Sequence, residues 1–220
     1  MNKKNGFLLL LSITVVMLSS CIGVSLDIQM NRDGSGRLTM LYNISNTLLE
    51  YGGIDGISSE SAVPLSRSDW ERTAERNKDI KLVSYSSKQS GQNTIITIVA
   101  DFTNLEALRE VLDPSIDNII FSLNDQGGNL NILLSGDSGS MDNYDENVLE
   151  IVKYMFEDYN FSFSFSAPGN SAMRITNGNG EAISLPTSAA AVLTGRKVSL
   201  TMNILDSLFT EEGLRLLINW

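Results

Sequence analysis

Histidine is absent from this 220-residue chain, and cysteine occurs once, at Cys21. Without histidine there is no Ser-His-Asp triad, no imidazole general base and none of the usual zinc ligand sets. A single thiol excludes an internal disulfide. No G-x-x-x-x-G-K-[ST] loop and no G-x-S-x-G elbow occurs, so phosphate-loop and nucleophile-elbow chemistry are not expected. Basic residues are also few, 16 against 26 acidic, for a formal net charge of −10. Nucleic-acid binding rests on clustered Lys and Arg neutralising phosphates, so no nucleic-acid partner is expected. The carboxylates are spread over turns and helix faces, with no spacing that pairs two for acid–base work. The sequence is therefore read as non-enzymatic, with no cofactor and no metal.

What is present begins at the amino end. Lys3 and Lys4 precede an apolar stretch, Phe7 to Leu18, broken only by Ser12 and Thr14. A basic start, an apolar core and small residues after it make a secretory signal peptide. The core falls short of the roughly 20 residues needed to span a bilayer. Leu18-Ser19-Ser20-Cys21 resembles the lipobox of bacterial lipoproteins. There the cysteine takes a thioether-linked diacylglycerol, is acylated further with a palmitate-type chain, and becomes the mature amino terminus. Cys21 is accordingly the lipidation site, residues 1–20 are the signal peptide, and residues 21–220 form one exported domain. Two acyl chains suffice for stable anchoring where one binds only marginally. Cleavage removes two lysines and no acid, shifting the formal charge from −10 to −12. The anchor would thus hold the domain at a membrane its surface does not attract. Ile22, not an aspartate, follows the cysteine, which under enterobacterial sorting rules points to the outer membrane more than the inner.

Period-two alternation dominates the mature chain and marks half-buried strands. Val24–Met30 and Leu38–Ile44 flank the turn "NRDGSG" as a hairpin. Ile80–Ser86 with Thr94–Asp101, and Asn118–Leu123 with Leu130–Leu134, are two further hairpins. Helices are expected over residues 45–53, 66–78, 105–112 and 144–156. The second opens on a capping pattern at Ser66, and the third on Thr103 with Glu106, which resembles a capping box. Strand-strand-helix therefore recurs three times, through either a distant internal repeat or shared turn chemistry. "FSFSFSA" is the clearest strand, and Val198–Ile204 and Leu214–Trp220 alternate as well. The expected fold class is α+β: a largely antiparallel sheet built from hairpins, with helices packed on one face.

Cys21, a short strand and then "SLDIQMNRDGSGRL" resemble the opening of LppM-type bacterial lipoproteins. The resemblance covers residues 21–44 and continues in element order and in the strand-like ending "VSLTMNIL…GLRLLINW". It implies a mature chain that opens with a strand, a D-G-S-G turn and a second strand. It brings no catalytic residues.

Three segments are candidate sites. Asn31, Asp33, Ser35 and Gly36 fall at calcium-loop positions, but Tyr42 stands where a bidentate glutamate belongs, and a hairpin turn explains the same residues. Asp137, Asp142, Asp145 and Glu146 either hold a divalent cation or favour the start of the following helix. Phe161, Phe163 and Phe165 lie on one face of a strand, as core or as the lining of an apolar ligand pocket. The function expected is a membrane-anchored, non-catalytic binding or structural module of the envelope, with a lipid or protein partner there. The alternative is a carrier or sensor of an apolar, lipid-like ligand held between sheet and helices, and an envelope enzyme is third.

Overall fold

A computed structural model describes residues 23–46, 66–112, 119–124, 127–135, 150, 159–177, 179–186, 188–203, 205–206 and 214–220. The expected signal peptide, Cys21, most of the helix expected at 45–53 and, apart from Glu150, the helix expected at 144–156 lie outside these residues.

The first hairpin forms where alternation placed it. Strands β1 (Gly23–Met30) and β2 (Gly36–Ser45) pair antiparallel, with Leu26 opposite Met40 and Ile28 opposite Leu38. Gly34 turns the chain at φ +83°, a left-handed conformation that glycine adopts without a Cβ clash. After helix α1 (Arg67–Arg76) come β3 (Ile80–Ser90) and β4 (Asn93–Phe102), and β4 adds to β2. Helix α2 (Leu105–Leu112) leads to β5 (Ile119–Asn124) and β6 (Gly127–Ser135). The carboxyl-terminal part supplies β7 (Asn160–Ser166), β8 (Ala172–Thr176), β9 (Ala190–Thr194), β10 (Lys197–Asn203) and β11 (Leu214–Asn219).

These strands make two sheets. The larger has seven strands in the order β3-β4-β2-β1-β7-β10-β9, and the smaller has four, β5-β6-β11-β8. Every pairing is antiparallel except β1 with β7, which is parallel and central to the larger sheet. That pairing lines up apolar side chains across five strands. One row runs Ile98, Met40, Leu26, Phe163, Leu200, and the next Ala100, Leu38, Ile28, Phe165, Val198. All ten are buried. The smaller sheet buries Leu130, Ile132, Leu214, Leu216 and Ile218, and the buried residues of both sheets form one cluster. Trp220 bridges the two sheets. Its ring centroid lies 5.0 Å from that of Phe165, and its backbone exchanges two 3.0 Å hydrogen bonds with Gly128. A Cβ on Gly128 would fall 2.2 Å from the indole, so glycine there makes room for the ring.

Among the described residues, helices packed on one sheet face do not close this core. Among the described residues the fold is β-rich, with a second sheet in that place, and the α+β expectation is corrected accordingly. Alternation reports that one face of a strand is buried and is silent about what buries it. The two described helices sit at the margins, α1 against the edge strand β3 and α2 against β4 and β5. Ser66 caps α1 in a reciprocal capping box with Asp69, and Trp70 is its one buried residue. At α2 the cap is Asn104, whose Oδ1 accepts from the Ala107 amide at 2.9 Å. Thr103, the expected cap, instead donates its amide and its hydroxyl to Asp79. Glu106 pairs with Arg109. Strands β8 and β9 escaped the sequence reading because they are five residues each, set among glycine, serine and proline. The third hairpin, β5–β6, belongs to the smaller sheet, so the three strand-strand-helix units do not occupy equivalent places.

Alternation along β7 yields a direct test. Phe163 is 1% exposed, whereas Ser162 is half-buried on the opposite face beside Thr201. Phe163→Asp buries a carboxylate in an apolar row and removes about 1.5–3 kcal/mol of apolar burial. Net stabilities are only about 5–15 kcal/mol. Circular dichroism and urea melts are expected to show an unfolded Phe163→Asp and a folded Ser162→Asp.

Candidate functional site

The β1–β2 turn satisfies its own polar groups. Asp33 Oδ1 accepts from the Ser35 amide at 3.0 Å and from its hydroxyl at 2.6 Å, and Asn31 Nδ2 donates to Ser35 Oγ at 3.0 Å. The Ser35 bonds hold the Asp33 carboxyl below its ordinary range. Tyr42, at the position of the missing glutamate, is a buried core residue whose hydroxyl contacts Met40 Sδ at 3.7 Å. Among the described residues no group of three His, Cys, Asp or Glu side chains is placed to hold a metal ion. The cluster Asp137, Asp142, Asp145 and Glu146 lies outside them.

Phe163 and Phe165 are packed inside the shared core, at 1% and 0% exposure, and Phe161 is half-buried against it. Neither of the two clefts described here is lined by them. One cleft, about 490 Å³, lies between the end of α1 and the start of α2. Arg76 and Lys78 line it together with Asp79, Glu106 and Glu110, so its charges offset one another.

The other cleft, about 530 Å³, opens at the end of the larger sheet where β1, β7 and β10 meet the turns. Strand pairing builds it: Gln29 lies opposite Ser166, and Ser166 opposite Lys197. Arg196 of the β9–β10 turn is fixed by its carbonyl, which accepts from the Ala167 amide at 2.9 Å. Arg32 enters from the β1–β2 turn. Arg32, Arg196 and Lys197 all line this cleft, and none of its lining residues is acidic. Sequence reasoning missed this convergence because 164 residues separate Arg32 from Arg196. The adjacent Arg196-Lys197 pair is the only local signal.

A solved structure similar to this one is the NMR structure of the folded domain of LppM from Mycobacterium tuberculosis. The match has a TM-score of 0.44 at 10% identity and covers 89% of this chain and 88% of that one. At that distance the likeness carries no functional assignment. No protein-family model matches the chain, and no curated protein matches it.

Two outcomes follow from the turn and the sheet surface. Millimolar calcium or EDTA is expected to leave the melting temperature unchanged. A native-state ligand at a hundredfold excess over Kd would add about 2.7 kcal/mol, which thermal melts would detect easily. The second concerns acid. Arg37, directly opposite Asp101 across β2 and β4, holds its carboxylate at 2.7 Å and lowers its pKa below the ordinary 3.8. A depressed carboxylate contributes stability above its unfolded pKa and loses it as pH falls through the folded one. Both groups of the pair are well exposed, so Asp101→Asn should cost less than about 1 kcal/mol at pH 7. The deficit should shrink in urea melts as pH falls below the ordinary carboxylate range and Asp101 takes up its proton.

Proposed function

We propose that this chain is an LppM-like lipoprotein of the bacterial envelope, anchored through acylated Cys21, whose exported β-rich domain is a non-catalytic binding or structural module. The observation that carries the proposal is the junction between anchor and fold. The lipobox-like Leu18-Ser19-Ser20-Cys21 ends one residue, Ile22, before β1 begins at Gly23. In sequence, a cysteine acylated there is two positions from the first residue of β1, a strand central to the larger sheet. The filled row around Phe163 and Phe165 supports a rigid module over an apolar carrier, since ligand sites of about 300–1,000 Å³ need open space. The residue inventory supports the non-catalytic reading, because the chain has no histidine and no spacing that pairs its acids.

Metabolic labelling with a fatty-acid analogue, followed by membrane fractionation, tests the proposal. Wild-type protein should label and sediment with membranes. Cys21→Ser should lose both label and membrane retention while its circular dichroism stays unchanged. Equal labelling of the two proteins would refute the lipid anchor.

A further inference from the structure

The basic cleft sits at the far end of β1 from the anchor. Seven residue steps separate Gly23 from Met30, and at about 3.3 Å per residue they span roughly 23 Å. Arg32 follows immediately, and Arg196 and Lys197 reach the same place from the β9–β10 turn. The chain carries ten more acids than bases, yet here three cations share a cleft with no acidic lining. None of the three pairs with a carboxylate among the described residues, whereas Arg37, Arg67, Arg72 and Arg109 each do. Asp27 accepts from Gln29 Nε2 at 3.0 Å and does not line the cleft. The Ser166 hydroxyl adds a neutral donor beside the cations. Guanidinium forks with an ammonium suit an anion that offers several oxygens at once.

We infer that this cleft binds a phosphate-type oxyanion of a ligand that reaches the domain from the side facing away from the anchoring bilayer. Two arginines and a lysine divide the work. The arginines supply planar pairs of N–H donors to two oxygens of one group, and the lysine supplies a point charge. The volume admits a pyrophosphate or a phosphorylated small molecule. The ligand's origin on the distal side rests on the lipid anchor proposed above. The anion site itself rests only on the cleft.

The test uses the full chain purified in neutral detergent, with inorganic pyrophosphate as the probe in isothermal titration calorimetry. Saturable one-to-one binding is expected, weakening as salt rises. Arg32→Gln, Arg196→Gln and Lys197→Gln should each weaken it about tenfold or more, in line with loss of a charge-assisted contact. Lys88→Gln, on β3 away from the cleft, should leave it unchanged. Absence of binding at millimolar pyrophosphate, or equal weakening by Lys88→Gln, would overturn the site. A second arm reconstitutes the protein in phosphatidylcholine vesicles and adds phosphatidylglycerol vesicles. Capture of those vesicles without pyrophosphate binding would assign the cleft to a bilayer and overturn the proposal of a soluble distal ligand. Loss of anchoring in Cys21→Ser would leave the calorimetric result standing, so the two readings fail separately.

Discussion

The parallel pairing of β1 with β7 is the contact on which the described architecture turns. It brings Leu26 against Phe163 and Ile28 against Phe165, joining strands separated by well over a hundred residues. On one side lie the amino-terminal strands β3-β4-β2-β1, and on the other the carboxyl-terminal β7-β10-β9. Neither part buries its apolar rows alone, because the aligned rows run across both. Closing so long a loop costs entropy before any contact forms. The two rows of five buried side chains offset that cost, and they do so only in this register. A one-residue slip would carry Phe163 and Phe165 to the serine face.

The same pairing sets both ends of the sheet. At one end β1 starts next to the cysteine that sequence marks for lipid. At the other, the register of Gln29 with Ser166 and of Ser166 with Lys197 gathers polar and basic groups beside Arg32. The cleft thus lies at the opposite end of β1 from the strand start that follows the proposed lipid site in sequence.

Trp220 shows how the second sheet is locked to the first. Its indole occupies the space left by Gly128 and meets Phe165, so one aromatic side chain touches both sheets. Cores with no disulfide depend on such interlocking, since packing density alone must resist unfolding. The marginal helices add to this cluster through Trp70, Ala107, Leu108 and Val111, and the sheets supply most of it.

Local chemistry was readable from the sequence. Alternation placed most of the strands, Ser66 and Asp69 announced α1, and the D-G-S-G turn satisfied itself with its own side chains, because each of these depends on neighbours within a few residues. The proposed export signal and lipid site are likewise read from sequence alone, because the lysine-led apolar start and the lipobox-like Leu18-Ser19-Ser20-Cys21 are linear patterns. Tertiary structure decided what could not be local. Period-two patterning is the same whether a helix or a sheet covers the strand, so the second sheet had to be seen. The cap of α2 moved from Thr103 to Asn104 because Asp79, distant in sequence, claims the threonine. Arg32 and Arg196 became one site because charge carries no mark of its partner in sequence, and only the pairing of β1, β7 and β10 brings the two turns together.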